Sequence, residues 1–306
     1  MTAAPRNRRS ILAVPGSSWK MLQKAATLPA DVVFIDMEDA CSPLERTDET
    51  RQQVVRALTE LEWVAPTREV RINDVTTHWC HRDLEVIAVG AREHLHGIVL
   101  PKVEDASHVH FVHHLLNQLE AEHGIPGRRC IEAQIETARG MVNVEAIAQA
   151  SDRIETIVFG PGDYTASLGI VQLSVGAIDP LYPGDQWHYA LSRILTAARA
   201  YGKQAIDGPF TQIRDLDAFR EVATRSQRLG FDGKWAVHPD QIAILNEVYS
   251  PSREQFEKAL ALVEAYREAT HGETRRGAVV HDGEMIDEAS AMMANAIVTR
   301  GRAAGL

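Results

Sequence analysis

Along this chain, short runs of apolar and β-branched residues alternate with longer runs whose apolar positions recur every three or four residues. These are the two periods that separate strands from amphipathic helices. Strand-like runs fall at 10–14 (closed by Pro15-Gly16), 31–37 (DVVFIDM), 68–73 (REVRIN), 97–102 (GIVLPK), 130–137, 156–162, 204–207 and 233–237 (GKWAV). Helical runs are expected behind a cap at Ser17 or Ser18, over 44–63 and 107–123, between the fifth and sixth strands, and over 187–201, 216–229 and 240–249. Eight strand–helix pairs in succession predict an α/β fold, a (β/α)8 TIM barrel over residues 1–252. An open doubly wound sheet is the competing arrangement, but no Gly-x-Gly-x-x-Gly turn opens the chain.

Beyond Ser250-Pro251 come a helical run over 253–270, a polar linker over 271–276, and a tail with a strand-like start, an Asp-Gly turn and a last helix. A segment of roughly fifty residues cannot build a core of its own. Residues 253–306 are therefore expected to form a C-terminal helical cover on the barrel or on a neighbouring subunit.

The candidate chemistry lies where the strand-like runs stop. The fifth ends on Glu136 and the sixth on Asp163. A carboxylate just past a buried apolar strand is costly unless a charge sits beside it. Two such acids on successive parallel strands can reach one divalent cation, and their oxygen donors suit Mg²⁺, with Mn²⁺ as the alternative. Reading the other strand ends in order adds Glu38, Asp39, Arg71, Lys102, Asp207 and His238. Arg71 offers a planar fork for a carboxylate or enolate oxygen, and Lys102 either a pairing with Glu136 or a contact to a substrate carboxylate.

Bulk properties narrow the partners. A formal net charge of -10 over 306 residues argues against nucleic acid or an anionic membrane as a general partner, though not against an anionic small molecule in a basic pocket. Three widely spaced cysteines (Cys41, Cys80, Cys130) form neither a disulfide framework nor a thiolate metal site, which suits a reduced cytoplasmic setting. The apolar run ILAVPG behind the basic N-terminus is too short for a signal sequence or membrane span. The four histidines at 108, 110, 113 and 114 point around several faces of one helix and are read as surface, and His78, Cys80 and His81 as loop and helix start.

A set of motifs then runs in order over nearly the whole chain: ILAVPGS (11–17), FIDMEDAC (34–41), VRIN (70–73), LPKVE (100–104), QIETARG (134–140), FGPGDYTASLG (159–169), AIDGPF (205–210), LGFDGKWAVHPDQI (229–242) and HDGEMID (281–287). In these the chain resembles the citrate lyase β-subunit-like family, which includes the malyl-CoA and citramalyl-CoA lyases of the HpcH/HpaI aldolase superfamily. It departs from commoner members at Met37 and at EASAMM in the tail.

The resemblance implies a metal-dependent barrel that breaks or makes a carbon–carbon bond beside a coenzyme A thioester, CoA being part of the substrate. It puts Glu136 and Asp163 at the metal, Arg71 at the keto-acid or thioester oxygens, and Lys102 and Gly162 at the substrate. Glu38 and Asp39 orient metal-bound water, and Asp287 is the candidate for proton transfer, reaching a neighbouring subunit's site. A homotrimer or a hexamer built as a dimer of trimers is implied. The substrate expected is malyl-CoA, β-methylmalyl-CoA or citramalyl-CoA, giving acetyl- or propionyl-CoA plus glyoxylate or pyruvate. A CoA-independent metal-dependent 2-keto-acid aldolase and a non-catalytic subunit are the rival readings. Arg8, Arg9, Lys20 and Lys24 are weak candidates for the CoA phosphates.

Overall fold

The computed structural model describes residues 6–271 and 277–306. Eight parallel strands close into a barrel in sequence order: β1 (Ser10–Pro15), β2 (Val32–Asp36), β3 (Thr67–Arg71), β4 (Gly97–Leu100), β5 (Cys130–Ile135), β6 (Ile154–Phe159), β7 (Gln204–Asp207) and β8 (Gly233–Ala236), with β8 pairing back onto β1. The helices between them are α1 (Trp19–Ala26), α2 (Asp48–Glu60), α3 (Cys80–Ala91), α4 (Ala106–Glu122), the short pair α5 (Ala138–Val142) and α6 (Val144–Gln149), α7 (Pro161–Leu168), α8 (His188–Ala200), α9 (Leu216–Leu229) and α10 (Asp240–Val248). Closure rather than an open sheet follows from the register, which runs without a free edge from Ile11↔Val32 round to Ile11↔Trp235.

Every residue of β2 and of β5 is buried, as expected of parallel strands covered on both faces. Inside the barrel, Ile11, Val32, Phe34, Val99, Val158, Ile206 and Trp235 pack as one apolar cluster. At its N-terminal end lies an ionic knot. The guanidinium of Arg8 bonds Glu69 of β3 at 2.8 Å and Glu132 of β5, and all three side chains are fully excluded from water. The apolar layer thus separates this basal knot from the opposite mouth, where the strands end. Arg8 and Arg9 precede β1 and so sit at the wrong end for a ligand at the mouth. Arg9 is instead spent on Asp31, through two bonds of 2.8 Å.

The expected element bounds shift by a few residues, with one consequence for function. The sixth strand stops at Phe159, because Gly160 caps and Pro161 opens α7. A proline has no N–H for the ladder and a φ that suits the first helical position. Asp163 therefore lies in the first turn of a helix, not on a strand end. Ser18 occupies the N-cap of α1, but its side chain makes no capping bond.

Contacts divide the chain between Asn246 and Glu247. The second unit holds α11 (Arg253–His271), the antiparallel hairpin β9 (Val279–His281) and β10 (Glu284–Ile286), and α12 (Glu288–Ala303). Asp282 and Gly283 turn the hairpin with both φ angles positive, as a tight two-residue hairpin turn requires. Phe256 and Ala259 of α11 pack on Ala294 and Val298 of α12. The polar linker expected over 271–276 lies outside the described residues, apart from the helical backbone of His271. No helix among the described residues is long and apolar enough to cross a membrane. Cys41, Cys80 and Cys130 are free and buried.

Candidate active site

The ends of β2 and β3 meet first. Asp36, the last residue of β2, is in register with Arg71, the last of β3. Its carboxylate accepts Nε of Arg71 at 2.8 Å and Nη2 at 2.5 Å, and also the backbone N–H groups of Glu38 and Ala40. Burial by itself would raise the Asp36 carboxyl, but the Arg71 charge and these four donors hold it below the usual carboxylate range. The guanidinium, which burial would lower but the charges of Asp36, Glu38 and Asp39 raise, lies over the rings of Trp235 (5.5 Å) and Phe34 (5.8 Å) at the top of the apolar layer. Its Nη1, the nitrogen Asp36 does not take, faces Glu38 at 3.3 Å and Asp39 at 3.4 Å.

The ends of β4 and β5 meet next. Lys102, two residues past β4, has a left-handed backbone with φ 48. A β-carbon makes that conformation cost about 1–3 kcal/mol. Its return is a backbone N–H aimed at Glu136 Oε1, 2.8 Å away. Gln134 Nε2 donates to the other Glu136 oxygen at 2.5 Å. Beyond β6, Gly160 leaves the space this carboxylate fills; a Cβ there would collide with both Cβ and Oε2 of Glu136. Burial pushes Glu136 up to about 8, with Glu38 and Asp163 adding to the rise against the pull of Lys102 and Arg71. Glu38 is likewise raised, chiefly by burial, despite Arg71.

The Lys102 ammonium does not pair with Glu136. It sits 2.5 Å from Glu38 Oε1 and 3.0 Å from Asp163 Oδ2. Burial would lower its pKa, but Glu38, Glu136 and Asp39 together raise it.

A cavity of about 520 Å³ opens over these groups, and Asp36, Asp39, Arg71, Gln134, Glu136, Gly162 and Asp163 reach its wall, with Trp235 below. Lys102 and Glu38 stand beside it, the Lys102 ammonium reaching Asp163 in its wall. Gly162 does line it, and a Cβ there would find only the Val175 methyls at 3.5 Å. Asp287, in the second unit, caps α12 by accepting from Ser290 N at 3.0 Å and Oγ at 3.1 Å, which keeps its carboxyl low. His238 accepts the N–H of Asp240 at 3.3 Å and closes the β8 turn. His113 bonds Ser151, and the α4 histidines share no site. Lys20 and Lys24 lie exposed on α1.

The donor set can be tested against a divalent cation. Among the described residues no group of three or more His, Cys, Asp or Glu is arranged around a metal position. Five carboxylates (Asp36, Glu38, Asp39, Glu136, Asp163) nevertheless crowd two cations, Arg71 and Lys102, and buried Glu38 Oε2 has the Arg71 charge at 3.3 Å but accepts no hydrogen bond. That excess suits Mg²⁺, which takes one or two carboxylates and fills its shell with water and substrate oxygens. Glu136 and Asp163 fit as that pair.

Sequence reasoning missed Asp36, Gln134 and Gly160. Asp36 was hidden inside an apolar run, though Val32, Phe34 and Asp36 share one face by the two-residue period of a strand.

Residues 9–239 match the model of the HpcH/HpaI aldolase/citrate lyase family. The L-malyl-CoA/beta-methylmalyl-CoA lyase of Rhodobacter capsulatus is 34% identical, the match covering 99% of this chain and 97% of the relative. The citrate lyase subunit beta of Leuconostoc mesenteroides subsp. cremoris is 33% identical over 96% of this chain and 93% of its own. In structure the chain is similar to CitE from Mycobacterium tuberculosis, solved with magnesium, acetoacetate and coenzyme A, at a TM-score of 0.74 and 28% identity over 98% and 99% of the two chains. The motifs, the closed barrel and these full-length matches agree: the chain belongs to the HpcH/HpaI aldolase/citrate lyase family, and it is a carbon–carbon lyase.

Proposed function

We propose that the protein is a Mg²⁺-dependent lyase acting on a 3-hydroxyacyl-CoA of the malyl-CoA, β-methylmalyl-CoA or citramalyl-CoA type. It releases acetyl- or propionyl-CoA and glyoxylate or pyruvate, or runs the same bond formation in reverse. The observation that carries this reading is the Arg71 guanidinium, locked by Asp36, in the wall of a cavity that the Glu136 and Asp163 carboxylates also line.

Mg²⁺ held by Glu136 and Asp163 would supply Lewis acidity at the substrate's hydroxyl and adjacent carboxylate. In cleavage the hydroxyl gives its proton to water and becomes the keto-acid carbonyl. The electron pair of the broken carbon–carbon bond passes to the α-carbon of the thioester and onto its oxygen as an enolate, and the enolate is protonated on that carbon. Arg71 holds the enolate oxygen, a contribution of about 3–4 kcal/mol. Glu38 and Asp39 orient water near the metal, and Gly162 gives the substrate room at the cavity wall. Asp287 is assigned the proton transfer at carbon, in a homotrimer or hexamer whose chains each carry a barrel over 1–252 and a helical segment over 253–306. The motif HDGEMID supports this assignment through the resemblance alone.

The test is a cleavage assay with Mg²⁺ and each of the three acyl-CoA substrates, detecting the CoA product and the keto acid separately. Release of one matched pair, abolished by chelation and restored by Mg²⁺, is the expected result. No release from any of them would overturn the reading. Turnover of pyruvate with an aldehyde in the absence of CoA would then replace it by the aldolase, and metal binding without turnover by a non-catalytic subunit.

A further inference from the structure

Lys102 touches both candidate metal carboxylates, by two different groups. Its backbone N–H bonds Glu136, and its ammonium bonds Glu38 at 2.5 Å and forms an ion pair with Asp163 at 3.0 Å. The ammonium is held between acidic side chains, so its charge acts first on those carboxylates. A divalent cation bound by Glu136 and Asp163 would meet a second positive charge at bonding distance from one of its own ligands. Coulomb repulsion at that range weakens the cation's hold even at the moderate effective dielectric of a protein interior. The lysine stem is flexible and its side chain is 26% exposed, whereas Glu38 is 4% exposed and faces Arg71 through Oε2, which leaves Oε1 to the ammonium. The ammonium therefore has somewhere to go: it can leave Asp163 and stay on Glu38.

We propose that Lys102 is an internal counter-ion that competes with the divalent cation for Asp163. It holds the carboxylates together in the metal-free protein and withdraws onto Glu38 when the metal binds, so that it sets the metal affinity. It is a positioning residue, and the inference rests on the reading of Glu136 and Asp163 as the metal pair.

The experiment is a Mn²⁺ titration of the full chain, without substrate, followed by the electron paramagnetic resonance signal of free Mn²⁺. Wild type, Lys102→Met, Lys102→Gln, Lys102→Arg and Glu136→Gln are compared, with thermal melting in the absence of metal to verify folding. Met and Gln keep a β-carbon at the left-handed position and so keep its backbone cost unchanged. Lys102→Met and Lys102→Gln are expected to bind Mn²⁺ about tenfold more tightly than wild type, and Lys102→Arg within about threefold of it. Unchanged or weaker binding in whichever neutral variant folds would overturn the proposal while leaving the metal pair intact. Equal binding by wild type and Glu136→Gln would sink the metal pair itself, and the inference with it.

Discussion

Asp36 grips Arg71 side-on, taking Nε at 2.8 Å and Nη2 at 2.5 Å, and leaves Nη1 as the group turned toward the other acids of the mouth. A guanidinium held this way cannot rotate its plane. The rings of Trp235 and Phe34 beneath it limit tilting as well.

Asp36→Asn should therefore act on the reaction through Arg71. The site would keep its shape, but one partner of a buried pair would lose its charge. We expect kcat/KM to fall about a hundredfold, mostly in kcat, since small errors of placement cost that much. Asp36→Ala should in addition lower stability by about 3–5 kcal/mol, the usual penalty for stranding a buried charge. Urea unfolding of both variants beside steady-state kinetics separates the two effects. Asn kinetics equal to wild type would remove Asp36 from the catalytic account.

Arg71→Lys keeps the charge and loses the fork. A lysine cannot occupy both Asp36 oxygens and present a further donor to an enolate in the same plane. The expected loss is about 10²–10³ in kcat, with a smaller change in KM. A loss confined to KM would mean that Arg71 holds the ground state only.

Gly160→Ala tests the space around Glu136. A Cβ at this position would collide with the Glu136 carboxylate, which has no room to retreat between Gln134 and the Lys102 backbone. Mn²⁺ affinity should fall at least about tenfold, with thermal melting to verify folding, because the added carbon meets Glu136 Cβ, which moves only with its backbone, as well as Gln134 Nε2. Affinity unchanged in a folded Gly160→Ala variant would place the metal elsewhere.

The basal knot predicts a pH dependence of stability that is separate from catalysis. Burial, together with the charge of Glu69, pushes Glu132 up to about 8 against the pull of Arg8. The folded chain then binds a proton that the unfolded chain, near the ordinary 4.5, releases. Native protein binding more protons makes stability fall as pH rises, so the contribution is complete below about 4.5 and lost through about 8. Glu136 is raised to the same range and adds to the slope. Chemical denaturation between pH 5 and pH 9 should show the decline, and Glu132→Gln should flatten it in part. A slope unaffected by Glu132→Gln would mean the knot holds no proton. Arg8→Met, which leaves two acids without their cation, should lower stability near pH 8 by about 3–5 kcal/mol.

Local pattern determined much of this protein. Alternating periods announced eight strands, and β7 (Gln204–Asp207) and α9 (Leu216–Leu229) lie where the pattern put them, because burial on both faces or on one stripe is written into neighbouring residues. Arg71 and Glu136 could be read as strand ends for the same reason. What the sequence did not reveal depends on which distant strand lies alongside and in what register. The pairing of Asp36 with Arg71, the burial of Arg8 between Glu69 and Glu132, and the reach of Lys102 to Asp163 join residues 35, 61, 124 and 61 positions apart along the chain. Asp163 came to lie on α7 because a proline two residues earlier ended the strand. Periodicity reports the environment of each residue along one element. Charge partners are chosen only when the barrel closes, since closure fixes the stagger that brings one strand's last side chain beside the next.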